Sequence, residues 1–158
     1  MHSSDWDAVR LIYMAGIATG QATFETEAPS WEQWDVTHLT FARLVASDDE
    51  PVVGWAALSP ISRRRAYAGV AEVSVYVDEH HRGAGVGRAL LDALIVQAEE
   101  NGIWTLQASV FPENLATVAL HRRCGFREVG HRERISKLNG VWRDTVLLER
   151  RSRQEAWE

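Results

Sequence analysis

The segment that most narrows what this chain can fold into runs from Ala71 to Arg88. Its first part, Ala71-Glu72-Val73-Ser74-Val75-Tyr76-Val77, places a β-branched residue at every second position, the period of a strand. Asp78 to His81 lead into Arg82-Gly83-Ala84-Gly85-Val86-Gly87-Arg88. Ala89, Leu90, Ala93, Leu94, Val96 and Gln97 then recur at helical spacing as far as Gly102, a suitable C′ residue. A strand, three alternating glycines between arginines, and a helix starting at once describe an anion site. Glycine lets the backbone turn tightly and approach a ligand, and the free N–H groups of the first helical turn point outward at the positive end of the dipole. A pyrophosphate suits that geometry; a loop that merely turns the chain is the other reading of these residues alone. Two common nucleotide loops are excluded by spacing, because Arg88 stands where GxGxxG needs its third glycine and no Gly-Lys-Ser/Thr follows.

Around this segment the pattern reads αα, ββ, β, α, β, α, ββ, an α/β domain. Ser4 or Asp5 is placed to cap a first helix through Trp6, Val9, Leu11, Ile12 and Tyr13, and Ser30 with Gln33 resembles a capping box for a second. Phe41 to Ala46 and Val52 to Leu58 read as a hairpin across Ser47-Asp48-Asp49-Glu50-Pro51. Ile103 to Val110 is another strand, and Asn114 caps a short helix closed by Gly125. Two last strands, about 126–135 and 141–149, flank Asn139-Gly140, a hairpin signal. With 158 residues, no repeat and no linker, residues 1–158 are expected to form one domain.

Charge and composition remove several functions. The net charge is −5, with two basic and nine acidic side chains before residue 60, so no basic face for nucleic acid is expected. No run reaches the roughly 18 apolar residues of a membrane span, and the start MHSSDWDAVR is too acidic for a secretory signal. A cytoplasmic protein with no membrane partner is the expectation. The single cysteine, Cys124, has no second thiol for a disulfide or a CxxC site, and adjacent His80 and His81 lack a companion at metal-ligand spacing, so no metal is expected.

The pattern Arg82-x-x-Gly85-x-Gly87 between a strand and a helix resembles the coenzyme A pyrophosphate loop of the GNAT superfamily of N-acetyltransferases. Asn114-x-x-Ala-x-x-x-His121-x-x-x-Gly125-Phe126 resembles that superfamily's second landmark, with His121 where a tyrosine is usual. Thr23-Phe24-Glu25-Thr26-Glu27, Arg64-x-x-Tyr67, Glu72 to Val77, His121 and Trp142-x-Asp144 are similar to the phosphinothricin and methionine sulfone or sulfoximine acetyltransferases. The resemblance covers nearly the whole chain. It implies the GNAT fold, a mixed central sheet flanked by helices on both faces, with the usual N-terminal strand short or absent here.

It also implies an acetyl-CoA-dependent N-acetyltransferase in which the amine of a small amino-acid-like acceptor attacks the thioester directly. On this basis Glu72 is the general base and His121 a proton relay. Val75, Tyr76, Val77, Arg82, Gly83, Ala84, Gly85, Val86, Gly87, Arg88 and Asn114 hold the acetyl-CoA, and Phe24, Arg64 and Tyr67 contact the acceptor. On residues alone, Glu72 also suits a solvated strand carboxylate and His121 a helix-surface histidine. For Arg63 and Arg65, which flank the motif arginine, solvated loop charges are the favoured reading. Similar proteins are usually homodimers. A polyamine, an aminoglycoside or a protein N-terminus as acceptor, and a non-enzymatic acyl-CoA-binding module, stay open as alternatives.

Overall fold

The computed structural model describes residues 1–47, 49 and 51–154. After a 3-10 turn at Ser3–Asp5 come α1 (Trp6–Ala18) and α2 (Trp31–Thr37), then β1 (Leu44–Ser47), β2 (Val52–Pro60) and β3 (Val70–Val77). The rest of the chain is α3 (Val86–Glu100), β4 (Thr105–Val110), α4 (Leu115–Arg123), β5 (Arg127–Leu138) and β6 (Val141–Arg151). The expected order of elements is present, and among the described residues no strand precedes α1.

The strands form one sheet in the order β1-β2-β3-β4-β6-β5, parallel between β3 and β4 and antiparallel elsewhere. Strand alternation gives it two apolar faces. Ala56, Leu58, Ala71 and Val73 join Leu90, Leu91 and Leu94 of α3 in one cluster, while Trp55 and Ala57 join Trp6, Val9 and Ile12 of α1 and Trp34 of α2 in the other. Helices therefore cover both faces. Burying a side chain such as Leu91 or Leu94 contributes about 1.5–3 kcal/mol, which makes α3 a rigid base for the loop that precedes it. On the opposite face the aromatic rings stack in series: Trp31 on Trp34 at 5.7 Å, and Trp55 on Tyr76 at 4.8 Å.

Three local expectations came out differently. The strand expected from Phe41 begins at Leu44, because Ala42 turns at φ +52° and the Arg43 guanidinium is taken by the Leu39, Asp35 and His38 carbonyls. Asp5 occupies the N-cap of α1, but its carboxylate turns back to accept from the His2 N–H at 2.6 Å. The last hairpin has the expected two-residue turn, Asn139 at φ +49° and Gly140 at φ +81°, yet β5 is bulged, with the three residues between Arg132 and Ser136 set against one, Asp144, in β6. Ser30 and Gln33 do form the reciprocal capping box. Within the expected hairpin loop before β2, Asp48 and Glu50 lie outside the described residues.

Candidate active site

The sheet opens in its middle. β3 and β4 share only three register pairs, Val70↔Thr105, Ala71↔Leu106 and Glu72↔Gln107, and then part. Which peptide groups this exposes follows from the antiparallel register on the other side. Asp78 N–H donates to Val53 O, so the even-numbered residues of β3 turn their N–H and C=O toward β2 and the odd-numbered ones turn theirs toward β4. Val75 and Val77 thus present N–H and C=O groups to the gap, where the register gives them no strand partner. By the same argument from Ser152 N–H on Trp104 O, Ser109 faces the gap from β4.

The gap is part of a cleft of about 1070 Å³. Its walls come from the 19–25 loop, the second half of β3, the glycine loop, the end of β4 and α4. At one end Gly83 and Gly85 lie at φ +76° and +86°, the left-handed region that glycine occupies without strain, and Gly85 is the N-cap of α3. A Cβ added to either would meet no protein atom within 4 Å, so their open side belongs to the cleft. Ala89 N–H is the first to find a helical carbonyl, Gly85 O at 3.0 Å, which leaves the Val86, Gly87 and Arg88 N–H groups to outside partners. These features fit a phosphate-bearing ligand whose extended arm lies along β3.

Glu72 stands where the strands part. Gln107 Nε2 and Ser109 Oγ each lie 3.4 Å from its Oε2, two donors that keep a carboxylate oriented at the cleft wall. His121, on α4, is 3% exposed and lines the same cleft. Its Nδ1 is 2.8 Å from Thr117 O, and a carbonyl only accepts, so Nδ1 carries the proton and Nε2 the lone pair. That Nε2 is buried without a protein partner. Burial pushes the imidazole pKa below the usual histidine value, with the Thr117 hydrogen bond opposing in part, so the neutral ring is favoured.

The cleft gathers Phe24, Glu72, Val75, Tyr76, Val77, Arg82, Gly83, Gly85, Val86, Gly87, Arg88, Asn114 and His121. Phe24 packs edge-on against Phe111 at 4.9 Å. Asn114 Oδ1 caps α4 through Thr117 N–H, and its Nδ2 donates to Gln21 O, so one amide N–H is left for a ligand. Tyr76 reaches the cleft by its side chain; its peptide groups are turned to Trp55. Ala84, Arg64 and Tyr67 are not in the cleft wall. Arg64 instead lies over the Tyr67 ring at 5.6 Å on an exposed turn before β3. Two groups escaped sequence reasoning. Arg143 of β6 donates to Gly20 O and Gln21 Oε1 and lies 4.0 Å from the Phe111 centroid, holding the Phe24 loop against the cleft. Arg132 of β5 donates to Ser109 Oγ at 2.6 Å. Each is one arginine among many, and only the sheet register brings it against residues of the cleft wall, Arg132 against Ser109 and Arg143 against Gln21 and Phe111.

The model of the acetyltransferase (GNAT) family matches residues 6–126. A phosphinothricin N-acetyltransferase of Alcaligenes faecalis is 34% identical over 95% of this chain and 79% of its own. An L-methionine sulfoximine/L-methionine sulfone acetyltransferase of Pseudomonas aeruginosa is 33% identical over 84% of this chain and 73% of its own. The structure also resembles that of a phosphinothricin acetyltransferase from Sinorhizobium meliloti in complex with acetyl-CoA, with TM-score 0.87, 28% identity and coverage of 96% and 85%.

Proposed function

Because this chain belongs to the acetyltransferase (GNAT) family and is an N-acetyltransferase, we propose that it moves the acetyl group of acetyl-CoA to the free amine of a small amino-acid-like acceptor of the phosphinothricin, methionine sulfone or methionine sulfoximine type. The observation that carries this reading is the parting of β3 from β4 immediately beyond Glu72, with the glycine loop at the far end of the same cleft.

In this reading the acetyl-CoA phosphates sit on the Arg82–Arg88 loop and the N-terminus of α3. The pantetheine arm takes up the unpaired Val75 and Val77 peptide groups, and an N–H there stabilises the oxygen of the attacked carbonyl. Glu72 removes a proton from the acceptor ammonium, directly or through water, because only the neutral amine attacks. An α-amino group titrates near roughly 7.7–8.0, so a modest base suffices. When the C–N bond has formed and the C–S bond breaks, nitrogen sheds a second proton and sulfur needs one. His121 Nε2, an unpartnered lone pair, suits a relay between them. The reading carries with it a homodimer working in the cytoplasm; no described helix is long and apolar enough to cross a membrane.

The test is release of free thiol from acetyl-CoA with methionine sulfone, methionine sulfoximine, phosphinothricin, a polyamine and a peptide offered in turn. Turnover with the first three is expected. Turnover with only the polyamine or the peptide would move the acceptor to another class.

A further inference from the structure

We propose that Arg132 and Glu72 together form a clamp for a zwitterion, Arg132 taking the acceptor's acidic group while Glu72 faces its amine. The proposal deepens the acceptor reading above and rests on it. Ser109 Oγ is 3.4 Å from Glu72 Oε2 and 2.6 Å from Arg132 Nη2, so the two opposite charges stand at most about 6 Å apart on either side of one hydroxyl. The register puts them on one face. Glu72 pairs with Gln107, Ser109 with Leu147, and Arg132 with Thr145, all of one parity across the sheet. Gly130, opposite Leu147 in that row, has open space where a Cβ would stand.

Arg132 is held there by construction. The β5 bulge that carries it is braced by Asp144, which accepts from Arg134 N–H at 2.8 Å and pairs with His131 Nε2 at 2.7 Å. Yet its own guanidinium is underused. Ser109 is its one hydrogen-bond partner among the described residues, its Nε has none, and no carboxylate pairs with it. Thr145 Oγ1, in the cleft wall beside it, is likewise buried without a partner.

An α-amino acid is the smallest molecule that matches this pair. Its nitrogen and carboxylate oxygens are about 3 Å apart, and charge-assisted hydrogen bonds of about 2.8 Å at each end bridge the remainder in a bent arrangement. A polyamine would set a second cation against Arg132, and a protein N-terminus has no carboxylate at that distance. Arg64 lies over the Tyr67 ring on an exposed turn, whereas Arg132 reaches the cleft wall through Ser109.

The experiment compares methionine sulfone with the amine that lacks its carboxylate, as acceptors for the wild type, Arg132→Gln, Arg132→Lys and Arg64→Ala. The expected result is a KM for methionine sulfone raised about 10- to 100-fold in Arg132→Gln, the worth of a hydrogen bond to a charged group. The kcat and the KM for acetyl-CoA should be nearly unchanged, Arg132→Lys should recover part of the loss, and the decarboxylated amine should be used equally poorly by wild type and Arg132→Gln. Arg64→Ala should leave the preference for the acid intact. If Arg132→Gln keeps the wild-type KM for methionine sulfone, or loses both acceptors equally, the clamp is refuted while the acceptor reading stands. If the wild type acetylates a polyamine but neither of these compounds, the acceptor reading fails and the clamp with it.

Discussion

Replacing Gly85 by alanine separates the demands of the fold from those of the ligand. Gly85 and Gly140 lie at φ +86° and +81°, and an added Cβ at either meets nothing within 4 Å. The two substitutions therefore carry the same conformational penalty, about 1–2 kcal/mol for an L-residue in the left-handed region, part of it offset by a stiffer unfolded chain. A net loss near 1 kcal/mol lowers Tm by about 2–4 °C in a domain of this size. Only Gly85 faces the cleft, beside the three unspent N–H groups of the first turn of α3. Disturbing one hydrogen bond to a charged phosphate costs about 1.5–3 kcal/mol, so Gly85→Ala should weaken acetyl-CoA about 10- to 100-fold in a calorimetric titration and Gly140→Ala should not. Thermal melts of both variants establish that the fold loss is matched. Wild-type affinity in folded Gly85→Ala, or equal weakening in both, refutes the assignment of the loop.

Glu72→Gln should bind acetyl-CoA normally and lose about 10²- to 10⁴-fold in kcat, with a residual rate that climbs as rising pH deprotonates the free amine; wild-type turnover at neutral pH and saturating acceptor would remove Glu72 as the base. His121, its pKa pushed down by burial, should show an NMR titration midpoint below roughly 6.5. Since the unfolded chain binds that proton more readily, His121 should cost stability as pH falls from about 6.5 through its folded value, and His121→Ala should flatten that limb; a midpoint at or above 6.5 contradicts the buried neutral ring. Arg143→Met, which keeps the bulk over Phe111 but drops the bonds to Gly20 and Gln21, should raise acceptor KM several-fold through the Phe24 loop and leave acetyl-CoA affinity alone; the reverse pattern would place that loop on the co-substrate side.

What could be read from residues alone follows from how local each signal is. The alternation of Glu72 to Val77, the glycines at 83, 85 and 87, the Ser30–Gln33 box and the Asn139-Gly140 turn are each written within a few positions, and each stands where it was expected. The opening of the sheet is not written in this way, because peptide groups are the same under every side chain and only the register shows that Val75 and Val77 lack partners while Tyr76 has them. The β5 bulge carries no glycine at its turning residue, since Arg134 adopts φ +47° with its N–H fixed by Asp144 ten residues away. Arg64 carries a local motif, whereas Arg132 meets Ser109, the hydroxyl beside Glu72, from two strands across. Distances across a sheet have no sequence period.

Peptide groups left open in the interior of a sheet also tie folding to supply. Any molecule that pairs with Val75 and Val77 in the native chain has no such row of groups to meet once the strands have dispersed, so it binds one state and not the other. At a free concentration about one hundred times its dissociation constant, such a molecule adds about 2.7 kcal/mol to the free energy of unfolding. That is a sizeable fraction of the roughly 5–15 kcal/mol on which a domain stands. The lifetime of this chain against proteolysis should thus rise and fall with the amount of co-substrate around it, a dependence that arises without any separate regulatory site.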